Sequence, residues 1–368
     1  MNIHSISLYV ISKSLKFPFA THLETVVNRE SIIVELTDSD GLQGYGEVVA
    51  FSSPWYTEET VKTAYHMLKD FFIPLLKNNP VQHPEQVTPL LNKYRRNEMA
   101  KAGLETAYWD LYAKRKQVSL SSLLGGTKTE IPSGVVVATS SLAEAYRQIE
   151  GYLEDGYKRI KIKISPGSDV EMIEPIRKRY PSLAIMADAN SAYTLEDVSR
   201  LQALDSFGLL MIEQPLAHDD IIQHAKLQQQ IKTPICLDES IVTYEDARNA
   251  IELGSCKVLN LKIGRVGGLR TAKAIHDLAV DKGIQVWVGG MVEYGVSRAH
   301  NIALASLPGF TIPGDISASS RYWEEDITLP EVVVENGHIK VPTGAGIGFT
   351  INEKSLTEST LYRETIFF

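Results

Sequence analysis

The sequence predicts an α/β protein, a parallel barrel of eight βα units preceded by a smaller α+β unit. Two observations carry this. From Ile131 onward, short apolar runs alternate with amphipathic helical stretches. Residues closing seven of the runs are Lys163, Asp188, Glu213, Asp238, Lys262, Gly289 and Asp315, at intervals of 25, 25, 25, 24, 27 and 26 residues. A strand of ~5 residues, a helix of ~12 and two loops of ~4 give that period, and eight repeats of it make a parallel barrel. The second observation is chemical: three consecutive runs close on acids, and lysines close the runs on either side. An open doubly wound sheet is the competing arrangement. Eight regular units without a glycine-rich first turn argue against it.

In chain order, residues 3–11, 31–37 and 44–48 read as strands, with Asp38-Ser39-Asp40-Gly41 as a turn. The polar, proline-containing stretch 16–28 reads as a loop, and 50–56 as a second loop with exposed aromatics. Helical spacing covers 57–76, 84–94 and 100–116, the last with Leu104, Tyr108, Leu111 and Tyr112 on one face. Gly125-Gly126 ends this unit. Residues 1–125 are therefore expected to form an α+β domain, 126–320 the barrel, and 321–368 a segment returning to the first domain. The barrel runs are 133–138, 159–164, 183–187, 209–212, 234–237, 257–261, 284–288 and 310–313. The helices between them are 142–153, 170–180, 195–204, 220–231, 244–253, 269–282 and 296–307. The tail reads as strands at 327–329, 331–334, 339–341 and 349–351, with Asn336-Gly337 as a hairpin turn. Gly344-Ala345-Gly346-Ile347-Gly348 reads as a tight loop, because no helix follows to receive a phosphate.

The chain has 368 residues and a net charge of −8, without a basic block, so a nucleic-acid partner is not expected. No apolar run is long enough to cross a bilayer, and residues 1–19 lack the apolar core of a signal peptide. The two cysteines, Cys236 and Cys256, have no metal-type spacing and suit a reducing compartment. A cytoplasmic protein, expected to be a homo-oligomer, follows.

Residues 159–165 alternate strictly. Ile160, Ile162 and Ile164 share one face of a strand and Arg159, Lys161 and Lys163 the other. Alone, that is the pattern of a solvent-exposed sheet. The strand-end acids change the reading. A single acid there is usually a turn former or helix cap. Asp188, Glu213 and Asp238 lie on adjacent strands ~5 Å apart, so their carboxylates converge and require protonation or a cation. Carboxylates without His or Cys favour Mg²⁺, for which Mn²⁺ can substitute, over zinc. Lys163 and Lys262 close the second and sixth runs, on opposite sides of a closed eight-stranded barrel. Such a mouth suits removal of a proton α to a carboxylate of a small-molecule substrate. Lys161, beside Lys163, is expected to lower its pKa by like-charge repulsion. Arg265 either tunes Lys262, pairs with an acid, or stays solvated. A Schiff-base lysine or a non-catalytic metal protein are the remaining alternatives.

The motifs Lys161-Ile162-Lys163, Asp188-Ala189-Asn190, Glu213-Gln214-Pro215, Asp238-Glu239-Ser240 and Lys262-Ile263-Gly264-Arg265-Val266-Gly267-Gly268 together resemble the enolase superfamily, over essentially the whole chain. A lysine base with Mg²⁺ is an established pattern of that superfamily. The paired lysines resemble its muconate-lactonising branch. Within it, residues 51–59 and 312–317 look like the o-succinylbenzoate synthase / N-succinylamino acid racemase family. Dipeptide epimerases carry Asp-x-Asp at the eighth strand, where this chain has Asp315-Ile316-Ser317. The resemblance implies a modified (β/α)7β TIM barrel with an α+β capping domain, and Mg²⁺ on Asp188, Glu213 and Asp238. It also implies loops at 17–24 and 50–58 closing over substrate. Lys163 would abstract the proton and Lys262 steady the enediolate, or the two would exchange roles in racemisation. Asn190, Ser133, Gly289, Met291, Phe51 and Trp55 are the expected substrate contacts, with Glu239 and Arg265 behind them. Gly289-Gly290-Met291 fits a pocket wall or a plain tight turn equally.

Overall fold

The computed structural model describes residues 1–21 and 23–368. A four-stranded antiparallel sheet begins the chain. Ile3–Ala20 pairs with Thr25–Asp38, which pairs with Gln43–Val48. The last strand, Thr360–Phe367, adds to the outer side of the first, so the tail returns to this sheet. The hairpin is longer than expected: Phe19 pairs with Val26 and Ala20 with Thr25, where the sequence reads as a loop. A register shift between Ser14 and Phe19 absorbs Pro18, which has no N–H for a ladder. Position 22, inside the expected 17–24 loop, lies outside the described residues.

Helix Glu98–Arg115 crosses this sheet at glycine-to-glycine distance. A Cβ on Gly46 would lie 2.0 Å from Gly103 O, and one on Gly44 would lie 2.5 Å from Ala107 O. Gly46→Val is expected to destabilise the protein by about 3 kcal/mol, the upper range for overpacking a tight contact. Urea unfolding measures it.

The parallel sheet has seven ordered strands: Val135–Val137, Arg159–Lys163, Ala184–Asp188, Ile212–Glu213, Ile235–Leu237, Val258–Leu261 and Gln285–Val288. They neighbour one another in chain order. The eighth run closes the circle by isolated parallel bridges, Phe310 to Val286 and Gly314 to Ser133. Pro313 denies it a regular ladder, yet Asp315 N donates to Val288 O at 3.0 Å and Gly134 N to Gly314 O at 2.7 Å. Helices between the strands follow the predicted spacing, and Tyr244–Leu253 coincides with it. The expected 195–204 helix is broken, with the α-helical part only Val198–Ala203 between two 3₁₀ turns. The expected 220–231 helix shortens to Ile222–Gln228.

Both faces of the second strand are buried. Ile160 and Ile162 join the core beneath the helices, while Arg159 and Lys161 are 1% and 5% exposed inside the barrel. The solvent-exposed reading of that cationic face is thereby overturned, as the closed parallel sheet is covered on both sides. In the tail, Asn336-Gly337 does turn a hairpin, between Glu335 and His338. The expected strand at 331–334 is absent, and helix Glu353–Ser359 appears before the last strand. Among the described residues no helix is long and apolar enough to cross a membrane.

Two buried carboxylates fasten the N-terminal unit to the barrel. Glu105 accepts Leu269 N at 2.8 Å and Arg270 N at 3.0 Å, and Glu47 accepts Tyr294 N and Ser297 N, each at 2.9 Å. Each carboxylate thus satisfies free N–H groups at a barrel-helix N-terminus. Gly264, Gly267 and Gly268 leave room for this seam: added Cβ atoms would lie 2.3 Å from Val49 Cγ2, 2.3 Å from Glu98 Oε2 and 2.5 Å from Glu105 Oε2.

Candidate active site

Strand ends deliver Lys163, Asp188, Asp238 and Lys262 to the barrel mouth, with Glu213 fully buried beside Asp188 and not lining the cavity. Lys163 and Asp188 are directly paired in register, as are Asp188 and Glu213. Just beyond two of these ends the backbone turns left-handed at non-glycine residues: Asn190 (φ 42°), Ser191 (φ 66°) and Gln214 (φ 39°). Such conformations are costly and concentrate at functional sites. Here side-chain bonds fix them: Asn190 N donates to Asp188 Oδ1 at 3.1 Å, and Gln214 Oε1 accepts Asp238 N at 3.0 Å.

One cavity is lined by Lys161, Lys163, Asp188, Asn190, Asp238 and Lys262. Lys163 Nζ donates to Asp188 Oδ2 at 2.7 Å and to Asn190 Oδ1. Asn190 Nδ2 in turn reaches Glu239 Oε1 at 3.2 Å. Across three intervening strands, Lys262 Nζ donates to Asp238 Oδ2 at 2.8 Å and to Tyr56 OH at 2.9 Å. Arg265, 1% exposed, bonds Asp238, Tyr56 OH, Ile241 O and Asn260 O. Of its three readings, pairing with an acid is the observed one, and the solvated one is excluded.

Phe51 and Trp55 line the cavity's outer wall with ring centroids 4.7 Å apart, and Met291 lines it from the seventh strand's loop. Ser133 and Gly289 do not line it. The Ser133 hydroxyl is spent on Ile316 O at 2.6 Å, tying the first strand to the eighth run. Gly289 makes space for a neighbour instead: a Cβ there would lie 2.8 Å from Lys262 Cε.

Lys161 is not the bare positive neighbour that the sequence suggests. Its Nζ lies 2.8 Å from Asp188 Oδ2, 2.6 Å from Glu213 Oε2 and 3.1 Å from Asp315 Oδ2. Burial disfavours its charge, but Asp188, Asp315 and Glu213 outweigh burial and hold it well above the ordinary lysine value. With its charge neutralised by three carboxylates, repulsion of Lys163 is offset.

The acids divide in behaviour. Burial opposes the charge of Asp238, yet Arg265 and Lys262 hold its carboxyl well below the usual range. Asp188 is likewise lowered, by Lys161 and Lys163 against burial. Glu213 is pushed up to about 8, first by burial and then by Asp188. Glu239 rises to about 7 through burial and Asp238.

Among the described residues no three His, Cys, Asp or Glu side chains are already drawn together as a metal shell. Lys161 stands between Asp188 and Glu213, while Asp238 is drawn toward Lys262 and Arg265. The donor set nevertheless suits a hard divalent cation. Glu213 Oε2 is buried and receives no aligned hydrogen bond, despite Lys161 at 2.6 Å. Its other oxygen is already held by Asn260 Nδ2 at 2.8 Å.

Three contributors escaped sequence reasoning. Tyr56 sat within a noted aromatic motif, but no spacing rule carries a loop hydroxyl across to Lys262. Asp315 kept the strand-end period, yet its partners, Lys161 and Arg159, lie on the far-removed second strand. Asn260, one residue short of the sixth strand's end, looked like an ordinary strand residue.

Two family models match the chain: the mandelate racemase / muconate lactonizing enzyme N-terminal domain over residues 5–125, and the enolase C-terminal domain-like family over 144–355. An o-succinylbenzoate synthase from Bacillus subtilis (strain 168) is 56% identical, over 96% of this chain and 95% of its own length. An N-succinylamino acid racemase from Thermus thermophilus is 43% identical, over 99% of this chain and 98% of its own length. The crystal structure of an enolase-superfamily member from Listeria innocua superposes with a TM-score of 0.98 at 42% identity, over 100% of this chain and 99% of that one.

Proposed function

Because this chain belongs to the enolase superfamily, in its o-succinylbenzoate synthase / N-succinylamino acid racemase family, we propose that it is a carbon–oxygen lyase forming o-succinylbenzoate. It would dehydrate 2-succinyl-6-hydroxy-2,4-cyclohexadiene-1-carboxylate in menaquinone biosynthesis. The observation that carries this reading is the placing of two lysine amines in one cavity, on the second and sixth strands, with the acid-bearing strands between them. Relatives of that name at 54–56% identity support dehydration as the main reaction.

Lys163 takes the proton α to the carboxylate. The ring hydroxyl then leaves as water with the proton that Lys163 now carries, and the ring becomes aromatic. Lys262, held charged by Asp238 and Tyr56 against the effect of burial, steadies the negative charge that develops. Asp188, Glu213 and Asp238 would hold Mg²⁺, which supplies further positive charge to the enediolate when bound.

Racemisation of N-succinylamino acids is the second reading. The same lysines would exchange base and acid roles, and racemase relatives at 42–43% identity favour it as a side activity. Assaying both reactions side by side tests the order. A kcat/KM for racemisation above that for dehydration would reverse it.

Glu213 also sets a pH dependence. Its pKa of about 8, against an ordinary 4.5, means that a bound cation must displace a proton. Mg²⁺ affinity should fall about tenfold per pH unit below that pKa. The sign for stability is the opposite. Without metal, the folded state holds this proton between about 4.5 and about 8 while the unfolded chain does not, so the contribution is full at low pH and lost as pH rises. The Mg²⁺-induced rise in Tm should therefore be larger near pH ~8.5 than near pH ~6. An equal rise at both would contradict a protonated Glu213.

A further inference from the structure

The second strand sends Arg159, Lys161 and Lys163 into the barrel at successive levels, and carboxylates bridge each gap. Asp188 joins Lys163 to Lys161, and Asp315 joins Lys161 to Arg159. Of the three carboxylates within 3.1 Å of Lys161, two belong to the acid trio and only Asp315 does not. Lys161 therefore occupies oxygens that a divalent cation on Asp188 and Glu213 would need. A buried ammonium cannot be left without acceptors, and its side chain is only 6% exposed. Asp315 can take over that task because it is itself fixed. Arg159 Nη2 reaches its Oδ1 at 2.6 Å, and its backbone N–H is bonded to Val288 O.

We propose that Asp315 is a positioning residue that draws Lys161 off Asp188 and Glu213 when a divalent cation takes those oxygens. It keeps the ammonium charged in the cavity wall and out of competition with the metal. The inference rests on the metal-binding reading of the acid trio.

The test is Mg²⁺ titration by calorimetry on substrate-free wild type, D315N, K161M and the double variant. D315N should bind Mg²⁺ roughly tenfold more weakly than wild type, a normal coupling between adjacent charges. In the K161M background the same substitution should have little effect, since no ammonium remains to compete. Wild-type affinity in D315N overturns the proposal. So does an equal loss in both backgrounds, which would be a plain field effect of the lost charge. A wild-type protein that binds no Mg²⁺ instead sinks the metal reading. If D315N does not fold, the crystal structure of Mg²⁺-loaded wild type decides. Lys161 on Asp315 and clear of Glu213 supports the proposal, and Lys161 retained on Glu213 overturns it.

Discussion

Lys163→Ala is expected to abolish turnover, with a loss on the order of ten-thousand-fold, the upper range for a general base. Three features make the effect large. Lys163 Nζ lines the cavity, on a strand end whose backbone is fixed by a parallel ladder. Its nearest partners, Asp188 and Asn190, orient the amine but do not replace it, since Asp188 is held ionised by two lysines and belongs to the acid trio. Lys161 cannot substitute, because three carboxylates keep it protonated. Lys262 stands on the sixth strand's end, with three strands intervening, so under the proposed reading it would meet the opposite face of the α-carbon. The variant should therefore also stop α-hydrogen exchange in D₂O at the face that Lys163 serves. For an N-succinylamino acid, exchange through Lys262 should survive for one enantiomer only. A large residual dehydration rate in Lys163→Ala would show that the base is another group.

The sequence disclosed the site better than its surroundings, for a physical reason. A parallel barrel imposes one period on the chain and one direction on its strands, so Lys163, Asp188, Glu213, Asp238 and Lys262 stand out by interval together with charge. Residues that act through long-range contacts carry no such mark. Asp315 was visible as a strand end, but its pairing with Arg159 and Lys161 spans over 150 residues. Ser133 sat at the right height yet turned to the eighth run, because closing a proline-bearing edge needed its hydroxyl. The cationic face of the second strand looked solvated until closure of the sheet put it inside. In the N-terminal unit, residues 16–28 read as a loop on composition, whereas pairing to a partner strand decides β structure. The final strand, Thr360–Phe367, was missed because its sequence lacks alternation; its outer edge is open and its side chains are largely exposed or half-buried.

Stripping divalent metal with excess chelator should silence dehydration and α-proton exchange together, and Mg²⁺ or Mn²⁺ should restore both. Neutralising a developing enediolate is worth several kcal/mol, so the loss should be at least about a thousandfold. Zn²⁺ is expected to restore less, because no His or Cys stands among the three acids. The competing electrophile is Lys161, already placed between Asp188 and Glu213. If its ammonium alone sufficed, activity would persist in chelator and K161M would eliminate it. If the cation is required, chelation should be the greater loss. The second outcome follows from Glu213: Lys161 stands 2.6 Å from its Oε2 yet leaves that oxygen without an aligned hydrogen bond and the carboxyl with a pKa of about 8. Asp188 and Asp315 have second cations in Lys163 and Arg159, whereas among the described residues Glu213 has only the shared ammonium, so it is the carboxylate that a divalent ion would serve.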